Sequence, residues 1–168
     1  DKEKTIFTTE TLNFIDKISN EISSFDIVKS VTAITNIPLV TSSQKPLTEL
    51  IDNIPTILSK EIDTKLAAKE ILTSPVYKDL IISEDSKTTA MQITLRKNSK
   101  LTDAFSKKVF LYEKYKEDSS YENEYLIAKS FYENIADIEK QKINKFIINL
   151  REIQSSYTSN RYEIRLGG

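Results

Sequence analysis

The sequence contains no histidine, no cysteine and no tryptophan, and its only two glycines are the last residues, Gly167 and Gly168. Without thiol or imidazole side chains, the chain cannot form a cysteine nucleophile, a Ser-His-Asp triad or an ordinary zinc or haem site. Without glycine from residue 1 to 166, it also cannot supply a P-loop or a dinucleotide fingerprint, whose backbones approach phosphate closely. We therefore expect a protein that is not an enzyme and has no catalytic, cofactor-binding or metal-binding residues.

Charge of one sign and long apolar runs are also lacking. The 168 residues carry 24 Lys and Arg against 25 Asp and Glu, a net charge of −1. So small a net charge gives no basic field that would attract nucleic acid, and we expect no nucleic-acid partner. No run approaches the ~18–20 apolar residues that cross a bilayer. Length and composition, with 39% hydrophobic residues, are typical of a single globular domain of ordinary size.

All four prolines lie in the first half of the chain, the last at Pro75. Apolar residues spaced by three and four between Leu12 and Phe25 predict an amphipathic helix, capped by Thr8 or Thr9. Strict alternation from Thr89 to Leu95 predicts a strand with one buried face. The expected elements are a strand trace over 5–7, helix 10–25, strand 27–37, helices 47–53 and 63–72, and a β-hairpin of strands 80–82 and 88–95.

The second half has no proline and predicts two long helices. The first runs from Thr102 or Asp103, either of which can cap it, to residue 117. The second spans about 121–157 and would be about 50 Å long at 1.5 Å per residue, so part of it must project or bend. An alternating segment over 162–166 predicts a final strand.

This order of elements predicts an α+β fold. Strands separated by helices, together with a β-hairpin, indicate a split βαβ sheet with helices on one face. We expect one domain over 1–168, with an α/β part formed by 1–100 and 158–168. Residues 101–157 would form a long helical hairpin that is inserted into this domain. The helices of this hairpin would span about 102–157.

Several segments resemble, in the same order, parts of exporters of the resistance-nodulation-division (RND) superfamily. They are 6–12 (IFTTETL), 28–36 (VKSVTAITN), 72–77 (LTSPVY), 80–95 (LIISEDSKTTAMQITL) and 162–168 (YEIRLGG). The resemblance covers about 5–98 and 158–168. Two departures are Phe25-Asp26, where the family usually has glycine before the second strand, and Ser86, where it often has glycine. The inserted helices resemble the helical hairpins of hopanoid and mycobacterial lipid exporters.

The resemblance implies a ferredoxin-like porter domain, the first large periplasmic loop of a proton-driven inner-membrane transporter. Such a domain takes part in exporting a hydrophobic or amphipathic substrate, such as a lipid. Its partners would be the membrane helices and the second periplasmic loop, and it could form a homo-oligomer. Because the first residue is Asp1 rather than methionine, we expect a piece of a longer protein. The alternative is a free-standing periplasmic or surface-exposed module that binds another protein.

Aromatic residues are concentrated where the two long helices are expected to meet. They are Phe105, Phe110, Tyr112, Tyr115, Tyr121, Tyr125, Phe131 and Tyr132. Packing of the two helices against each other accounts for such residues most simply. Since one interhelical seam needs fewer aromatic residues than this, the alternative is that some are exposed and contact a partner or lipid. The candidates for that contact are Tyr112, Tyr115, Tyr121 and Tyr125.

Overall fold

The computed structural model describes residues 5–43, 46, 50, 54–78 and 80–167. The chain forms two compact units, Asp1–Leu95 and Arg96–Gly168. Their described elements are helices α1 (Thr9–Ser23), α2 (Thr64–Thr73), α3 (Ser99–Glu117) and α4 (Glu122–Tyr157), strands β1 (Val28–Thr32) and β2 (Gln92–Leu95), and a 3₁₀ turn, Ser119–Tyr121. This mixture of helix and antiparallel sheet belongs to the α+β class, as predicted. The predicted helix over 47–53 falls almost wholly outside the described residues.

Helix α1 forms where the apolar periodicity predicts it. The Thr8 hydroxyl accepts a hydrogen bond from the Thr11 amide at 3.3 Å, so Thr8 rather than Thr9 is the N-cap. The buried face of the helix carries Leu12, Ile15, Ile18 and Ile22. Helix α2 also forms as predicted, and Asp63 caps it by accepting from the amides of Lys65 and Leu66.

Strand β1 is shorter than the predicted strand 27–37. At the end of β1 the backbone forms hydrogen bonds with the side chain of Asn36. The Oδ1 atom of Asn36 accepts from Ala33 N at 2.8 Å, and its Nδ2 atom donates to Val31 O at 2.7 Å. The chain therefore turns at 33–36 instead of continuing as a strand. β1 pairs antiparallel with β2, and Val31 lies opposite Ile93.

The predicted β-hairpin over 80–95 is formed in part. Ser83 N donates to Thr88 O, and Ala90 N donates to Ile81 O, but the first arm makes only isolated bridges. The turn places Ser86 at a φ of 57°, the conformation that glycine adopts most easily. Asp85 stabilises this turn, because its carboxylate accepts from Ser83 Oγ at 2.7 Å and Lys87 N at 3.0 Å.

Two predicted strands are absent from the described part of the sheet, which contains only β1 and β2. Residues 5–7 form no strand, although Ile6 N donates to Ser86 O. Residues 162–166 are also not a strand, because Ile164 O accepts from Gln154 Nε2 at the end of α4. Residues 158–168 belong to the same unit as the long helices, rather than to the α/β part.

The described core of the first unit is built from aliphatic side chains. Helices α1 and α2 contribute Leu12, Ile15, Ala67 and Ile71, and the chain after β1 adds a run of fully buried residues. That run is Ala33, Ile34, Ile37 and Leu39. Burial of each large aliphatic side chain stabilises the fold by about 1.5–3 kcal/mol.

Helices α3 and α4 form an antiparallel helical hairpin. Asn98, not Thr102 or Asp103, is the N-cap of α3, and its Oδ1 accepts from Leu101 N at 3.2 Å. Three contacts align the two helices: Asn98 with Glu139, Phe105 with Tyr132, and Tyr112 with Tyr125. Each step is seven residues along both helices, the spacing of a coiled-coil seam.

Candidate interaction surface on the helical hairpin

The hairpin brings aromatic residues together at the end where α3 meets α4. We call Phe110, Tyr112, Tyr115, Tyr121 and Tyr125 the aromatic tip. The rings of Tyr115 and Tyr125 are stacked with centroids 5.7 Å apart, and the Tyr112 ring lies 5.3 Å from that of Tyr125. Three of the four predicted tyrosines therefore form one cluster around Tyr125.

Tyr121 joins the aromatic tip through a lysine. The ammonium of Lys114 lies 4.9 Å from the centre of the Tyr121 ring and 4.9 Å from that of Phe110. Distances of this size are typical of cation–π interactions. Asp118 positions the turn that carries Tyr121, because its carboxylate accepts from Ser120 N at 2.8 Å. That hydrogen bond also lowers the pKa of Asp118.

The exposed fractions of the side chains in the aromatic tip show which of them are packed between α3 and α4. Tyr115, Tyr121 and Tyr125 are half-buried, as expected for side chains between two helices. Phe110 is 58% exposed and Tyr112 is 42% exposed, so the contact between the helices, which includes Tyr112 with Tyr125, leaves a large part of both rings uncovered. An apolar ring exposed to this extent beside other aromatic rings is typical of a contact surface.

Sequence reasoning missed the lysines that accompany these rings. Lys116 lies 5.5 Å from the Tyr112 ring, and Lys108 lies 4.1 Å from the Tyr132 ring and 5.0 Å from the Phe105 ring. The signal was present, since Lys108, Lys114 and Lys116 each follow an aromatic residue by three or four positions. Residues at that spacing are neighbours on a helix surface.

Charged side chains of both signs lie around the tip, and one lysine is paired with a glutamate. Lys116 Nζ lies 3.0 Å from Glu113, and this hydrogen bond raises the pKa of Lys116. Among the residues that the structure describes, no group of three or more Asp or Glu side chains is placed to hold a metal ion. The exposed rings of Phe110 and Tyr112 and the lysines that lie over them are suited to binding through apolar and cation–π contacts.

The chain was compared with protein-family models, with curated proteins and with solved structures, and no match was found in any of the three. Of the helices in the described ranges, none has the length and apolar character needed to cross a membrane.

Proposed function

We propose that this chain is a binding module whose aromatic tip docks on an apolar surface of a partner protein. The observation that carries the proposal is the exposure of Phe110 and Tyr112 beside the stacked pair Tyr115 and Tyr125. Aromatic side chains are enriched where protein interfaces gain most of their binding free energy. The role proposed is binding without catalysis.

The stacked pair Tyr115 and Tyr125 supports this role because contact with it restricts the motion of the exposed Tyr112 ring before a partner binds. Tyr125 contacts both Tyr112 and Tyr115, so the exposed Tyr112 ring is held against a half-buried neighbour. A side chain that is ordered in the free protein loses little conformational entropy on binding. Lys114 and Lys116, which lie over aromatic rings, add polar groups at the edge of the apolar surface.

Site-specific photo-crosslinking of the parent protein in its own cells tests this proposal. A photoreactive phenylalanine analogue replaces Phe110 or Tyr112, and the matched control replaces Val76, which is 63% exposed in the other unit. We expect one discrete protein adduct from both tip positions and none from position 76. Adducts with lipid alone, or equal labelling at position 76, would contradict the proposal.

A second candidate function is the periplasmic domain of an RND-type exporter, with a ferredoxin-like sheet. The ordered motifs in 6–12, 28–36, 72–77 and 80–95 favour it, and so does the order of α1, β1 and its antiparallel partner β2. In that case, the aromatic tip would contact a hydrophobic or amphipathic substrate such as a lipid. The membrane helices and the second periplasmic loop would be its partners within the inner-membrane protein.

The reading frame of the parent gene tests the second candidate. An exporter domain requires an apolar span of about 20 residues on each side of the 168-residue segment. Spans on both sides, with several more downstream, would support it. A stop codon soon after Gly168, preceded only by a signal sequence, would overturn it and leave the binding module standing.

A further inference from the structure

Helix α4 carries a second row of exposed side chains at coiled-coil spacing. The row, which we call the outer ladder, is Ile127, Phe131, Asn134, Ile138, Gln141, Lys145 and Ile148. Its steps alternate between four and three residues over three heptads, as in the contact positions of a coiled coil. Its four apolar side chains are 48–63% exposed.

The outer ladder lies on a different face of α4 from the contact with α3. That contact uses Tyr125, Tyr132 and Glu139. At 100° per residue, the outer ladder is displaced from these positions by roughly a third of a turn. Ile127 and Phe131 border a shallow depression on this face. A second helix could therefore pack on α4 without displacing α3.

Charge is segregated along α4 in a way that selects the direction of a partner. The first half, residues 122–139, carries five carboxylates and one lysine. The second half, residues 140–157, carries four cations and one carboxylate. Two copies side by side in parallel would place like charges together, whereas two antiparallel copies place each acidic half beside a basic half.

We propose that two copies of the chain associate through their outer ladders, with the α4 helices antiparallel. The ladder is symmetric about Ile138 to within one residue, since its other members lie 4, 7 and 11 residues before Ile138 and 3, 7 and 10 residues after it, so Ile138 contacts its own copy at the two-fold axis. Ile127 then lies opposite Ile148, and Phe131 lies opposite Lys145. Asn134 lies opposite Gln141, a polar pair of the kind that fixes coiled-coil register. This association is independent of the function proposed for the aromatic tip.

Disulfide crosslinking of the cysteine-free chain tests the register directly. The Ile138→Cys chain should form a dimer on oxidation, while the Val76→Cys control, with a similarly exposed site, should remain monomeric. Ile127→Cys should crosslink to Ile148→Cys in a mixture but not to itself. Self-crosslinking of Ile127→Cys would indicate parallel helices and overturn the proposal.

Sedimentation equilibrium tests association without crosslinks. The unmodified chain should show a monomer–dimer equilibrium that weakens as salt is raised, because the opposed charges become screened. Ile138→Lys and Ile138→Glu should each be monomeric with unchanged helical circular dichroism, and an equimolar mixture should recover the dimer. A chain that stays monomeric at millimolar concentration, or a mixture that does not associate, would overturn the proposal.

Discussion

The hydroxyl of Thr35 is buried and, within the described structure, has no hydrogen-bond partner. Thr35 lies in the turn that follows β1, next to the fully buried Ile34. A buried hydroxyl without a partner costs free energy, because it has given up its hydrogen bonds to water. Valine has nearly the same shape and lacks the hydroxyl.

We expect Thr35→Val to raise the free energy of unfolding by about 1 kcal/mol, since it removes the unsatisfied group and keeps the packing. Thr35→Ser is the matched control, because it keeps the hydroxyl, removes the methyl group and should destabilise the chain. Urea unfolding followed by circular dichroism measures both. A loss of stability in Thr35→Val would show that the hydroxyl is satisfied in solution.

The carboxylate of Glu70 accepts four hydrogen bonds from one loop. It accepts from the amides of Val40, Thr41 and Ser42 and from Ser42 Oγ at 2.6–3.1 Å. Partial burial alone raises the pKa of Glu70, but the hydrogen bonds from Ser42, Thr41 and Val40 outweigh it and hold the pKa below its ordinary value of 4.5. Glu70 thus ties the loop after Leu39 to helix α2.

Glu70→Gln should lower the free energy of unfolding by about 1–2 kcal/mol at pH 7, because the amide cannot accept all four hydrogen bonds. The pKa is lower in the folded state than in the unfolded state, so the contribution is full above the unfolded pKa and is lost as pH falls through the folded pKa. The difference from the unmodified chain should therefore shrink below about pH 4.5.

Urea titrations between pH 3 and 7 measure this difference. The matched control is Glu84→Gln, which changes an exposed carboxylate in the 83–88 turn and should have little effect at any pH. A Glu70 effect that stays constant down to pH 3 would contradict the assigned role of its charge.

The side-chain contacts of Glu70 and Asn36 could not be predicted from the sequence. The partners of Glu70 lie 28–30 residues away, and no local spacing indicates such a contact. The side-chain amide of Asn36 likewise ends β1 at Thr32, although the Val, Ile and Thr content of residues 27–37 predicted a longer strand. Caps of helices are more local, and Thr8 was one of two predicted candidates for α1.

At the start of α3, three nearby polar residues, Asn98, Thr102 and Asp103, are each of a type that can cap a helix. Asn98 caps Leu101 N, and its Nδ2 also donates to Glu139 Oε2 at 2.7 Å. Asn98→Ala should therefore cost about 1 kcal/mol or slightly more. Asp103→Ala, at one of the two cap positions predicted from sequence, should change stability by less than about 0.5 kcal/mol. Thermal unfolding of both variants compares them, and equal losses would contradict the Asn98 cap.

Helices were predicted more accurately than strands for a physical reason. A helix forms its hydrogen bonds within the segment, so the apolar spacing in α1 and the lack of proline in the second half of the chain suffice to locate helices. A strand needs a second strand to pair with, and the alternation over 162–166 does not indicate whether one is present. At the aromatic tip, the tyrosines could be predicted from composition, but their grouping around Tyr125 depended on the register between α3 and α4.

The sequence predicted a boundary near residue 100 inside one domain, whereas the chain forms two compact units, Asp1–Leu95 and Arg96–Gly168. The final strand was expected to join the sheet, and its absence leaves residues 158–168 with the long helices. The described aliphatic core, from Ile6 to Ile82, lies entirely in the first unit. In the second unit, Ala104, Leu111 and Ala128 are buried along the hairpin.

Substitution of one buried residue in each unit tests whether the units respond separately. Ile71→Ala and Leu111→Ala should each cost about 2–5 kcal/mol of local stability, because each leaves a cavity. Hydrogen exchange read by mass spectrometry should show lost protection mainly in α1 and α2 for Ile71→Ala, and mainly in α3 and α4 for Leu111→Ala. Leu80→Ala, at a 65% exposed site, is the control. Equal loss of protection across the whole chain in both variants would show one cooperative unit instead, because a defect in either half would then open the other.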